Sequence, residues 1–270
     1  MKDKLKTWLE KSGYPLELYV HKIAAENGYL CEKSQIYSDV ETGTAREIDL
    51  VAYKHGKITD EYIFELNLII ECKKSEKPLI ILSDGKREER YKQLLGHEAF
   101  TERFVDCGMS YFHLHDLDEK EKHIGSFSET VLAGYSIVPG FGKSDENLFK
   151  GIMGISKAHE HFRSTYHESR AREMKNEESK EGEWLRLQLP VVVVDAPLFT
   201  AYLGNDGELE IEEISWGSLL IRKPWAMNRG DSDSLCNIQV VCKNYFSNFI
   251  SEVETFHGYI SKSEKVFYQG

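Results

Sequence analysis

Apolar positions along this chain recur with two different periods, and the switches between them mark its elements. Residues 2–10 read as a short helix broken at Ser12-Gly13. Pro15 then suits a helical first turn, and Leu16, Tyr19, Val20, Ile23 and Ala24 repeat at helical spacing up to the stop signal Asn27-Gly28. Residues 34–40 alternate as a strand, 41–44 read as a hairpin turn, and 46–54 and 64–73 read as the second and third strands. The unbroken apolar runs Leu68-Ile69-Ile70 and Leu79-Ile80-Ile81-Leu82 predict strands covered on both faces. Residues 84–146 fit this scheme poorly. They suggest a charged helix over 87–106 and then a glycine-rich, loop-like stretch, an insertion or lid. A long helix is expected over 147–178, apolar early at Leu148, Ile152 and Ile155 and charged late. Strands follow at 189–195, 198–203, 210–221 and 238–242, with a final amphipathic helix at 245–256. The expectation is one elaborated α/β domain over 1–270, with its core at about 14–83 and 147–203, the insertion at 84–146 and a C-terminal extension at 204–270.

One strand carries candidate chemistry. Leu68-Ile69-Ile70 runs directly into Glu71-Cys72-Lys73. Side chains two apart on a strand share a face, so Glu71 and Lys73 project together and Cys72 points away. Asp49 lies in the preceding strand. A hard divalent cation such as Mg²⁺ or Mn²⁺ takes carboxylate and carbonyl oxygens, which Asp49, Glu71 and the Cys72 carbonyl could supply. Such an ion acidifies a bound water and offsets charge on a phosphodiester. Lys73 would orient that water or stabilise the developing negative charge. Glu47 shares a face with Asp49 and reads as a solvated neighbour.

Glu17 on the N-terminal helix, Ile48-Asp49, and Glu71-Cys72-Lys73 together resemble the PD-(D/E)XK nuclease superfamily, the restriction-endonuclease-like fold. The resemblance covers roughly residues 14–82, with Ile48 where the nominal motif has Pro. It implies a mixed β-sheet flanked by helices. It also implies metal-dependent cleavage of phosphodiester bonds, with DNA favoured over RNA, and Glu17 as an accessory acid beside Asp49, Glu71 and Lys73. A partner protein or a homodimer fits such an enzyme. A catalytically idle module of the same fold, serving binding or assembly, is the rival. Gln93 is followed by His97 at the fourth position, so the Gln-x-x-x-Tyr element of RecB-type members is missing.

Charge qualifies this picture. The 270 residues carry a formal charge of −11, which disfavours a protein that binds nucleic acid over its whole surface. Local basic patches then have to do the binding. Lys74 and Lys77 beside the motif, and Lys86 and Arg87 with Arg90 and Lys92, are the candidates. Five cysteines with no Cys-x-x-Cys read as free thiols, and no apolar core follows the basic start 1–6, so a cytoplasmic location without membrane contact is expected. His159 and His161, two apart on a helix, do not share a face and read as surface residues rather than zinc ligands, as do His113, His115 and His167. Gly142-Lys143-Ser144 lacks the earlier glycine of a phosphate loop, and no nucleophile elbow surrounds any serine.

Overall fold

A computed structural model describes residues 1–57, 62–90, 99–101, 127, 129–142, 146–173, 183–226 and 234–262. Helix α1 (Lys2–Lys11) buries no residue. Helix α2 (Tyr14–Glu26) buries Leu16, Val20 and Ala24, one residue per turn along one stripe. It ends where its sequence says it should. Gly28 adopts φ +81°, its N–H bonds the Ala25 carbonyl, and the Tyr29 N–H reaches back to Ala24. That is the paired closure a left-handed C-terminal glycine permits.

Among the described residues, eleven strands form one mixed sheet. In chain order they are β1 (Leu30–Ser38), β2 (Ala45–Lys57), β3 (Tyr62–Lys74), β4 (Leu79–Glu89), β5 (Ala99–Thr101), β6 (Thr130–Pro139), β7 (Glu183–Asp195), β8 (Leu198–Leu203), β9 (Leu209–Ile214), β10 (Trp216–Arg222) and β11 (Leu235–Cys242). Their spatial order is β1-β2-β3-β7-β11-β10-β6-β4-β8-β9, with β5 pairing a part of β7 that β11 does not reach. β1, β2 and β3 make an antiparallel meander, and β3 pairs β7 in parallel over their full lengths.

The run Val191 to Val194 shows why the centre is so apolar. Val191 and Val193 face α2 and helix α4 (Phe246–Lys262), where they meet Leu16, Phe249 and Phe256. Val192 and Val194 face helix α3 (Glu146–Glu173), where they meet Ile152 and Ile155. Each buried valine contributes roughly 1.5–3 kcal/mol relative to exposure. The result is helix, sheet and helix in three layers, the parallel central strands being covered on both faces.

The sheet also bends. β3 and β7 turn together into β4 and β8, and the turn is tied by Ser75 N–H to the Asp195 carbonyl and Leu79 N–H to the Pro197 carbonyl. β9 and β10 are joined by Ser215 alone although three strands separate them in the sheet order. The half β10-β6-β4-β8-β9 therefore curls back toward itself.

Four expectations need correcting. Residues 87–89 continue β4 rather than starting a helix, and 130–139 form a full sheet strand rather than loop. Residues 91–98 and 102–126 of that stretch lie outside the described residues. The segment 210–221 is two strands divided at Ser215, not one. His159 is wholly buried on α3 rather than at the surface; His113 and His115, like the His167 side chain, lie outside what is described. Among the described residues, no helix is long and apolar enough to cross a membrane.

Candidate active site in the cleft between β3 and α3

The β2–β3 ladder runs from Lys57 opposite Ile63 to Leu50 opposite Ile70, and there it stops. One residue further, the Asp49 carboxylate takes the place of a backbone acceptor. Its Oδ2 accepts the Cys72 N–H at 2.7 Å. This bond holds Asp49 beside Glu71 at the point where the two strands part. On the other side of Asp49, the β1 pairing skips Ser34, which adopts φ +52°. A non-glycine residue in the left-handed region is uncommon, and its place next to an acid at a strand fork is typical of functional sites.

Glu71 and Lys73 share a face, as expected, and Lys73 Nζ donates to Glu71 Oε1 at 2.5 Å. Cys72 points the other way, against the core beneath α2. Lys73 needs room to extend across α3, and Gly151 provides it. A Cβ on Gly151 would lie 2.3 Å from Lys73 Cε. Glu17, in the first turn of α2, approaches closely enough for its charge to be felt by Glu71.

The electrostatics follow from crowding. The Glu71 pKa is pushed up to about 7, first by burial and then by the Asp49 charge, with Lys73 working against both. Burial also raises Asp49, while the Cys72 N–H and Lys73 pull it back. Glu17 is raised by burial, then by Asp49 and Glu47. Burial would lower Lys73, but Glu71 and Asp49 outweigh it and raise the ammonium. Several carboxylates thus share one ammonium. Such a group is short of positive charge, and hard oxygens short of positive charge suit Mg²⁺ or Mn²⁺. Among the described residues, the hydrogen bonds to these acids go to Asp49 Oδ2 and Glu71 Oε1, and none reaches Asp49 Oδ1 or the second Glu71 oxygen. Among the described residues no three acidic, histidine or cysteine side chains already converge at ligand distances. A bound ion would therefore have to draw on the Cys72 carbonyl, on waters, or on both.

The cleft has a volume of about 580 Å³ and runs from Glu71 and Lys73 to the start of α3. Its cations are not those expected from sequence. Lys74 is exposed and bonds the Glu10 carbonyl, and Lys77 lies over Gly142. Lys86 pairs with Asp84, and Arg87 pairs with Glu212 at a separate cavity on the curled half of the sheet. None of the four lines the cleft. Arg46, Lys150 and Lys157 line it instead, with the exposed ring of Phe149 beside them. The signal for these residues was present. Asn147, Lys150, Gly151, Gly154 and Lys157 fall on one stripe of α3 at spacings of three and four, opposite the apolar stripe of Leu148, Ile152 and Ile155. No family model matches the chain, and neither does any curated protein or solved structure in the comparisons made.

Proposed function

We propose that this cleft hydrolyses phosphodiester bonds with the help of Mg²⁺ or Mn²⁺, that DNA is its favoured substrate, and that the domain is a restriction-endonuclease-like nuclease. The observation that carries the reading is the meeting of Asp49 with Glu71-x-Lys73 at the fork of β2 and β3, with Lys73 directed past Gly151 into an open cleft. Asp49, Glu71 and the Cys72 carbonyl would hold the ion, whose chemistry is to acidify water and offset phosphate charge. Lys73 stands ready to orient a water or to meet negative charge developing on phosphorus. Glu17 borders the same group of acids as an accessory. Arg46, Lys150 and Lys157 line the wall where a phosphate chain would lie, but Arg46 and Lys157 are held by Asp39, so Lys150, exposed and among the described residues paired only with Glu146, is the cleft cation best placed to meet a phosphate. The free thiols Cys31, Cys72, Cys236 and Cys242 suit the cytoplasm.

One observation favours the rival, an idle module that binds or assembles: Glu71 already spends an oxygen on Lys73. The two readings part on a metal test with plasmid, linear and single-stranded DNA and with RNA. Cleavage should vanish in EDTA and return with Mn²⁺ or Mg²⁺. Undiminished cleavage in EDTA would sink the assigned mechanism, and no cleavage under any condition would favour the idle module.

A further inference from the structure

A second cavity, of about 270 Å³, lies within the curled half of the sheet and shares no lining residue with the cleft. Arg90, the residue that follows β4, lines it. Its residue surface is only 5 % exposed, and among the described residues neither Nε nor Nη1 has a hydrogen-bond partner. The guanidinium is nonetheless fixed. Its carbon lies 3.2 Å from the Trp216 ring centroid, a stacking distance, and its backbone N–H bonds the Glu129 carbonyl. Trp216 is itself anchored. Its Nε1 donates to Gln239 Oε1 at 2.8 Å, and Phe249 and Phe127 pack edge-on against its ring. From the far wall comes Thr200, 3 % exposed, whose hydroxyl is also without a partner.

A stacked guanidinium keeps its charge but spends none of its N–H donors on the ring. Buried donors without acceptors are costly and rare in native proteins. The charges of Glu129 and Glu252 act on the guanidinium, but among the described residues neither accepts a hydrogen bond from Nε or Nη1. Arginine presents its donors as a planar fork, matched to the paired oxygens of a carboxylate or phosphate. Ile81, Ile214 and Leu132 give one part of the wall an apolar surface, which suits a ligand with a small body behind one anionic head. Glu129 and Glu212 at the lining oppose a polyanion, and Arg87 offsets Glu212 at 3.2 Å. The volume falls just below that of drug-sized ligand sites.

We propose that the Arg90–Trp216 cavity is a binding site for a small organic oxyanion, a phosphate monoester or a carboxylate, held by the Arg90 guanidinium and the Thr200 hydroxyl. The site is independent of the cleft and stands whether or not the cleft cleaves nucleic acid.

Calorimetric titration of the full chain with phenyl phosphate, benzoate and inorganic phosphate, against sodium chloride at matched ionic strength, tests it. At least one of the three should bind saturably at one site per chain and raise the melting temperature with concentration. Phenyl phosphate without benzoate assigns phosphate monoesters, and the reverse assigns carboxylates. Arg90→Met should weaken that binding roughly tenfold or more, the scale of a lost charge-assisted hydrogen bond. Lys73→Ala should leave it unchanged. If Arg90→Met does not fold, Arg90→Lys and Thr200→Val replace it, and each should weaken binding. The proposal is overturned by absence of saturable binding for all three probes, by a response that chloride reproduces, or by variants that bind as tightly as the unmodified chain.

Discussion

Asp39 and Glu71 line the same cleft, and their surroundings are opposites. Asp39 is fully matched. Lys157 Nζ donates to both of its oxygens at 3.1 and 3.0 Å, Arg46 Nε donates at 2.6 Å, and the N–H groups of Glu41 and Thr42 complete the set. Burial alone would raise its pKa, but these donors outweigh burial and hold it well below the usual carboxylate range. Glu71 has one ammonium and is crowded by Asp49 and Glu17, and its pKa moves the other way. A carboxylate surrounded by donors ties the β1–β2 turn to α3. A carboxylate crowded by carboxylates and, among the described residues, bonded only to Lys73 is left short of positive charge. The contrast separates an acid that ties the fold together from the acid proposed to serve function, within a single cleft.

The sharpest way to break the comparison acts on turnover. Lys73→Ala removes the cation that, among the described residues, serves the acid-rich end. Nucleic-acid cleavage should fall roughly 10²–10³-fold, the scale of losing one stabilising donor, while the urea midpoint stays near that of the unmodified chain. Lys157→Ala should show the reverse pattern, with a clear loss of stability. Equal effects of the two substitutions on cleavage would erase the distinction drawn here.

Next in size is a stability effect at the matched end. Asp39→Asn leaves Lys157 and Arg46 facing a neutral amide, and breaking a buried ion pair on one side costs roughly 3 kcal/mol. The sign of the pH dependence follows from the depressed folded pKa. The contribution of Asp39 is complete above about pH 4, the unfolded value, and is lost as pH falls below it toward the folded pKa. Urea midpoints measured from pH 7 down to pH 3 should therefore show a shallower acid limb for Asp39→Asn than for the unmodified chain. Glu71→Gln should change stability far less, under about 1 kcal/mol, because losing Lys73 as a partner is offset by relief from Asp49 and Glu17. A larger loss at Glu71 than at Asp39 would reverse the assignment.

The two ends differ as well in how far the sequence reveals them. Glu71-x-Lys73 was legible because strand alternation alone puts both side chains on one face, and Asp49 because its strand precedes in a short meander. Local periodicity settles both. Asp39 was not singled out, because its partner Lys157 lies 118 residues away and only the packing of α3 on the meander brings them together. The basic residues beside the motif misled for the same reason. Lys74 and Lys77 are neighbours of Lys73 in the chain, but the chain turns away from the cleft after β3. Likewise Arg87 and Arg90 sit in a stretch that reads as a charged helix because Glu and Arg alternate through it. Pairing with β6 overrides that local preference, and the strand carries Arg90 into the curled half of the sheet.

The smallest effect comes from the residue that gives Lys73 its path. Gly151 sits inside α3, where alanine is intrinsically the better helix former by about 1 kcal/mol. Its absent side chain is what lets Lys73 cross, since a Cβ there would overlap Lys73 Cε at 2.3 Å. Lysine is flexible, so Gly151→Ala should displace the ammonium rather than unfold the helix. The expected result is a fall in cleavage of roughly tenfold, part of the loss that removal of a donor causes. Thermal stability should be unchanged or slightly raised. Lys73→Ala and the Gly151→Ala, Lys73→Ala pair should then cleave alike, because the glycine acts only through the lysine, and a double-mutant cycle measures that coupling directly. Additive losses in the cycle would mean that Gly151 serves the cleft in some other way, and that the position of Lys73 is not what the glycine protects.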